Sequence, residues 1–502
     1  MKKNKLLLLP LVLLSLVGCD LKINFGSNAN GKPTDKQDVA NKPELITVFS
    51  INDLHGSLKE NPDEGELGLA KLEYAIKNDV DYNPETSIII SCGDSWQGGY
   101  LSYKERTITD ELLGEMGVEA MVLGNHEFDW GIDNIKTLRE QSPFPFLACN
   151  IKDPNGRHTD ELSDNHTIIE KAGAKIGIIG AMGAGEESSI AASSLAGYSF
   201  DSRTSIIKDE VNYLTGENCD LILLATHDSY KNENGYINSI ASTLDTTQIQ
   251  GIFGAHTHYF ESGEAGSNKI PFVQGGCNSR GYAKMSFSLP TKKAVEHSYV
   301  KAFSSYYNID ASLLNQTIVS RIEESDKRYN GSEEICQLQG DFRRGYELNK
   351  FVPEIMLKQA INYGFKGKNE LIALHNNAGI RANLSSGSLT REKLFKVEPF
   401  ENKVKIIKNI SGSKVGGLLG TINGSYSSKF YAYMRETDQA FDSSKTYDVV
   451  TIDYVSEGYY GKRCFGDAPQ YDLRDEKPFI LDIMIDYLQS SENKVFNAAD
   501  YR

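Results

Sequence analysis

Five short apolar runs in the first half of the chain each end at once in residues that ligate metals. Residues 48–51 lead into Asp53-Leu54-His55, and 88–92 into Gly93-Asp94. Residues 121–123 lead into Gly124-Asn125-His126-Glu127, 221–225 into His227, and 252–253 into Gly254-Ala255-His256-Thr257-His258. Runs that are apolar at consecutive positions suit strands covered on both faces. Open α/β sheets present their sites at the carboxyl ends of such strands, so five ends can converge on one crevice. One histidine after a strand is an ordinary loop residue. Five of the nine histidines, with three Asp or Asn residues, at successive strand ends are not.

Between the runs lie amphipathic stretches at 68–78, 107–116 and 132–140, and this alternation predicts an α/β class. At 281–303 the text changes to period-two strands. Residues 310–327 read as a helix linking two units. A second α/β unit follows, with a helix near 353–363 and strands at 371–375, 404–410 and 447–454. The expected division is a first domain at 45–305, a linker helix within 306–335 and a smaller second domain at 336–502.

The ligand set is carboxylate, imidazole and amide without thiolate, which suits Zn, Mn, Fe, Co or Ni. It is too large for one tetrahedral ion. Two ions about 3.5–4 Å apart, sharing a carboxylate, activate water and clamp a phosphoryl group for in-line displacement. The net charge of the 502-residue chain is −15, from 53 Lys and Arg against 68 Asp and Glu. Such a surface repels a nucleic-acid backbone, so no nucleic-acid partner is expected. An anionic substrate must then be drawn in by a local cluster of cations.

Residues 1–5 are basic and 6–18 are almost unbroken apolar, too short to span a bilayer and suited to a signal peptide. Leu16-Val17-Gly18-Cys19 resembles a bacterial lipobox, with Cys19 as the lipidated residue. Residues 19–44 are polar and read as a flexible tether. The expected location is outside the cell, anchored to the membrane by lipid. The other six cysteines form no CxxC pair, and no structural disulfide is expected.

DxH, GD, GNHE, a lone His and GHxH, in this order, resemble the calcineurin-type metallophosphoesterase signature. The longer stretches at 50–56, 93–95, 124–129, 144–150 and 176–180 are similar to the 5′-nucleotidase family of exported enzymes, and the likeness runs over roughly 45–480. The resemblance implies a four-layer α/β/β/α sandwich followed by a smaller α/β substrate-binding domain. It implies release of phosphate from nucleotides by in-line attack of a metal-bridging hydroxide, with two divalent ions as cofactors. By the same resemblance, Asp53, His55 and His258 hold one ion, Asn125, His227 and His256 hold the other, and Asp94 bridges. His126 and Asp129 resemble the catalytic dyad, with Asp129 holding the His126 tautomer. Glu127 reads as a helix-starting residue.

In the second domain, 375–381 (HNNAGIR) resembles the family's NGGGIR, so Asn376 and Arg381 would hold substrate. Arg344 resembles a further substrate-contacting arginine, with Arg343 the other candidate. Tyr426 and Tyr454 stand where the family has base-stacking aromatics. The chain departs from the family at Asn377-Ala378-Gly379 and at 457–461, where a ribose-holding GGDG is replaced. The chemistry residues are intact and the nucleoside pocket is altered. Rival readings are a 2′,3′-cyclic nucleotide phosphodiesterase/3′-nucleotidase, a UDP-sugar hydrolase, or a binding or adhesion lipoprotein on the same fold. Oligomeric state is not legible.

Overall fold

A computed structural model describes residues 42–502, apart from 230–234, 303, 366, 421–430, 438–440 and 493. Cys19, the tether up to residue 41 and Tyr426 lie outside the described residues. Lys42–Arg502 form one unit.

Its N-terminal lobe stacks two six-stranded sheets. In the first, Leu45–Ile51, Ser87–Ser91, Val118–Val122 and Phe146–Leu147 run parallel in that order. Gly281–Ser288 and Lys293–Lys301 extend it antiparallel beyond Leu45–Ile51. In the second, Ile270–Gly275, Gly251–Phe253, Leu221–His227 and Ala174–Met182 are parallel neighbours, with antiparallel edges at Phe260–Ala265 and His166–Lys171.

Alternation along each strand builds the layers. Ile46 and Val48 join Ile176, Leu223 and Phe253 in a core between the sheets. Their neighbours Phe49 and Ile51 pack outward on Leu72, Ile76 and Leu113. The far face of the second sheet buries Ile222 and Leu224 against Ile207, Val211 and Ile240. These are the four layers α/β/β/α expected from the family likeness.

The C-terminal lobe has a five-stranded sheet, in the order Tyr431–Arg435, Glu370–Asn376, Thr446–Ile452, Val404–Ser411, Gln470–Asp472. Leu348–Asn362 and Ile480–Ser490 cover one face, and Gly412–Leu419 and Tyr459–Phe465 the other. The helix expected near 353 begins at Leu348 and carries Pro353 inside it. Burial of Phe351, Val352, Ile355 and Met356 offsets the backbone hydrogen bond that proline cannot donate. The strand expected at 447–454 stops at Ile452, where the Asp453–Glu457 helix begins.

The linking segment forms a short turn at Ala311–Leu313 and then the helix Gln316–Tyr329, capped by Asn315 accepting from Thr317 N. This helix docks on the N-terminal lobe: Arg321 reaches Glu105 at 2.6 Å and Glu111 at 2.9 Å. The lobes are also pinned directly. Lys396 pairs with the buried Glu66 at 2.6 Å, Lys59 with Glu392 at 2.7 Å, and Phe395 packs on Tyr100 and Tyr103. All six described cysteines are buried free thiols.

Candidate metal centre and active site

The strand ends do converge. Asp53, His55 and His258 form one group of metal-type ligands, and Asp94, His227 and His256 a second, the ligand atoms of each lying within 4.8 Å of one another. Asp94 Oδ2 stands between them, 3.1 Å from His227 Nε2 and 4.0 Å from His55 Nε2. His258 Nε2 lies 3.5 Å from Asp53 Oδ1 and 3.0 Å from His55 Nε2. Asn125 Oδ1 joins the second group, 3.1 Å from His256 Nδ1.

The backbone holds these residues in costly shapes. Asp53, His55, Asp94, His256 and His258 all have positive φ, between 49° and 72°. Side-chain-bearing residues avoid that region, and each such residue costs about 1–3 kcal/mol. Two glycines make the close approach possible. A Cβ on Gly124 would fall 2.3 Å from Asp94 Oδ1, and one on Gly93 would fall 2.7 Å from Gly124 N.

The tautomers of two ligand-type histidines are set by main-chain acceptors. His55 Nδ1–H donates to Gln97 O at 3.0 Å and His227 Nδ1–H to Cys92 O at 2.8 Å. Each ring is left with a bare Nε2 facing the site, as a metal ligand requires. His227 Nε2 is fully buried, with Asp94 Oδ2 3.1 Å away. Burial pushes Asp53 up to about 7, with His227 opposing and Asp94 adding to the rise. Burial works against a charge on His227 too, yet Asp94 and Asp53 raise it well above its ordinary range: the two carboxylates call for positive charge at Nε2, which a metal ion can supply in place of a proton. Buried carboxylates and bare imidazole nitrogens packed this closely fit cations between them.

His126 and Asp129 meet beside this cluster. His126 Nδ1 lies 2.6 Å from Asp129 Oδ2, across the turn Asn125–Phe128. Burial lowers His126, and Asp129 and Asp94 outweigh it, so the net shift is upward. The His126 ring centroid is 6.1 Å from that of Phe400, and the Arg381 guanidinium is 5.9 Å from the same ring.

A cavity of about 430 Å³ runs from His55 and His258 to Arg344 and Arg381, crossing from one lobe to the other. Arg343 is turned away and paired with Glu347 at 2.8 Å. Burial, with Arg381 nearby, lowers Arg344. Asn376 does not line the cavity. Its Oδ1 is buried without a partner, and its backbone carbonyl accepts from His375 Nδ1–H at 2.9 Å. Tyr454 is 41% exposed, on the Asp453–Glu457 helix, and also lies outside the cavity lining.

Two acidic residues matter more than sequence reasoning suggests. Glu127 is wholly buried. Its carboxylate accepts the backbone N–H of Asp94, Ser95 and Gly124 at 2.7 Å each and of Trp96 at 3.3 Å. It therefore clamps the Gly93-Asp94 loop to the Gly124 loop and is more than a helix starter. Glu186, four residues beyond the Ala174–Met182 strand, places Oε1 3.3 Å from His256 Nε2. The strand-end pattern that marks the ligand candidates could have found it; the signal at Glu127 is only its place in GNHE.

This fold with two such ligand groups defines a calcineurin-like metallophosphoesterase, a metal-dependent phosphoester hydrolase. Residues 46–260 match the family model described as calcineurin-like phosphoesterase, and 340–434 match the 5′-nucleotidase C-terminal domain. The chain is 22% identical over 429 residues to the 5′-nucleotidase of Vibrio cholerae, covering 76% of each. It is 22% identical over 432 residues to endonuclease YhcR of Bacillus subtilis, covering 79% of this chain but 35% of that protein. A 5′-nucleotidase precursor from Thermus thermophilus shares the fold, with a TM-score of 0.70 at 17% identity over 90% of this chain and 99% of that one. The chain is thus similar to 5′-nucleotidases over most of its length, through a calcineurin-like phosphoesterase domain and a 5′-nucleotidase C-terminal domain.

Proposed function

We propose that the protein is an exported, lipid-anchored nucleotidase that releases phosphate from nucleotides with two divalent ions of the Zn or Mn type. The observation that carries this reading is the single cavity joining His55 and His258 to Arg344 and Arg381. It places cationic forks opposite a cluster of metal ligands, as a phosphoester requires.

Asp53, His55 and His258 would hold one ion, Asn125, His227 and His256 the other, and Asp94 both. Bound divalent ions supply Lewis acidity and an activated water. The chain supplies the rest. Arg381 and Arg344 grip and orient the phosphoryl oxygens. His126 stabilises the charge that develops at phosphorus and moves a proton toward the leaving oxygen, while Asp129 keeps the proton on Nδ1.

One observation favours a second reading within the class. No Phe, Tyr or Trp is among the described residues lining the cavity, and Tyr454 stands apart from it. A cyclic phosphodiester, a UDP-sugar or another phosphoester fits the same chemistry.

The test is phosphate release from 5′- and 3′-nucleotides, 2′,3′-cyclic nucleotides, UDP-sugars and p-nitrophenyl phosphate, with Mn²⁺, with Zn²⁺ and with EDTA. EDTA-sensitive preference for a 5′-nucleotide supports the first reading. Preference for another phosphoester selects the second. No metal-dependent turnover on any of them would overturn both in favour of a binding lipoprotein.

A further inference from the structure

The His256 ring is oriented opposite to His55 and His227. Those two direct Nδ1–H to main-chain carbonyls. In His256, Nδ1 faces Asn125 Oδ1 at 3.1 Å and Nε2 faces Glu186 Oε1 at 3.3 Å. Both partners are acceptors, and a neutral imidazole has one N–H to give. Glu186 is 8% exposed, and its second oxygen is buried with no partner. An ionised carboxylate is a stronger acceptor than an amide oxygen, which favours the tautomer with the proton on Nε2. The Nδ1 lone pair is then left 3.1 Å from an amide oxygen. Two facing lone pairs repel unless a cation lies beside them.

We propose that Glu186 is a positioning residue for the second ion: its carboxylate accepts the Nε2–H of His256 and thereby presents Nδ1 as the ligand atom. The proposal rests on the dimetal reading above. Its placement follows from the fold. Met182 pairs in register with His227, so the turn Glu186–Ser189 that follows this strand is delivered to the side of the second ligand group. A Cβ on Gly183 would fall 2.9 Å from Glu186 Cγ, so the bare backbone there lets the carboxylate side chain pass close by. Carboxylates that hold a ligating histidine from behind affect metal affinity by about 10- to 100-fold.

The test is equilibrium dialysis of the full chain against buffered Mn²⁺, and separately Zn²⁺, with elemental analysis. Wild type should bind two ions. Glu186→Ala should keep one ion unchanged and weaken the other about 10- to 100-fold. Glu186→Gln retains an acceptor oxygen and should stay within about threefold of wild type. Glu186→Asp keeps the charge but withdraws the oxygen, and should resemble Glu186→Ala. If Glu186→Ala is poorly folded by circular dichroism, the Gln and Asp pair still decides. Wild-type affinity in Glu186→Ala or Glu186→Asp would overturn the proposal. So would a Gln variant as weak as Ala, which would make Glu186 a direct ligand. Fewer than two ions on wild type would overturn the dimetal reading instead.

Discussion

The backbone N–H of His126 donates to Asp94 Oδ1 at 2.8 Å, while Asp94 Oδ2 faces both ligand groups. One carboxylate thus ties the turn carrying the dyad to the centre of the ligand cluster. Removing the His126 side chain leaves this bond in place; neutralising Asp94 removes the charge that both ligand groups share.

Asp94→Asn should therefore abolish turnover and reduce bound metal. His126→Ala should keep both ions and lower kcat by about 10²–10⁴, the scale of a general acid or base. Elemental analysis beside steady-state kinetics separates the two. Loss of both ions from His126→Ala would refute the division of roles.

Glu127→Ala should cost at least about 3 kcal/mol in urea unfolding, because several buried N–H groups lose a charged acceptor at once. Glu127→Gln should fall between, with one acceptor oxygen left. The exposed Glu140→Ala is the control and should change little. A Glu127→Ala midpoint equal to the control would show that the clamp is idle.

The arginines offer a neighbouring pair with opposite expectations. Arg381→Ala and Arg344→Ala should each lower kcat/KM by about 10- to 150-fold, from the loss of a charge-assisted contact of about 1.5–3 kcal/mol. Arg343→Ala should leave kinetics nearly unchanged, since its guanidinium pairs with Glu347 outside the cavity. The reverse ranking would place Arg343 in the substrate register.

Asp110 supplies a pH test away from the centre. It is buried, accepts Trp96 Nε1–H at 2.7 Å, and burial raises it to about 8, with Trp96 opposing and Glu127 adding. A carboxyl raised in the folded state stabilises fully below its unfolded value near 4. That contribution is lost as pH rises through about 8, by at most about 1.4 kcal/mol per pH unit. Wild type should lose stability between about pH 5 and 8 relative to Asp110→Asn. Parallel curves from chemical denaturation would contradict this.

Cys19→Ser should release the protein from the membrane fraction or leave its N-terminus unprocessed. Mass spectrometry of the mature N-terminus checks it. Unchanged membrane association together with an unlipidated native N-terminus would remove the anchor from the proposal.

The local order of each strand and the polar residues just beyond it were legible in the chain because both follow from short-range pattern. Apolar runs become buried strands, and their ends become the sheet's open edge. Asp53, His55, Asp94, Asn125, His227, His256 and His258 could therefore be picked out one strand end at a time, and the α/β class with them. What they do to one another was a matter of tertiary structure. The backbone N–H of His256 donates to Asp53 across 203 positions of sequence, and no local pattern carries that. The same holds for Glu127, three of whose donors lie 31 to 33 positions away on another loop. Arg343 and Arg344 differ by one position and are equivalent as text; the pairing with Glu347 alone decides which one is left to the cavity. Tyr454 stands near a sequence motif, yet the turn from the strand ending at Ile452 into a helix carries it to the surface. Sequence determined the chemistry available at each strand end, because that is set by neighbouring residues. The packing of sheets and lobes decided which atoms meet, because register and interface geometry depend on contacts between residues far apart in the chain.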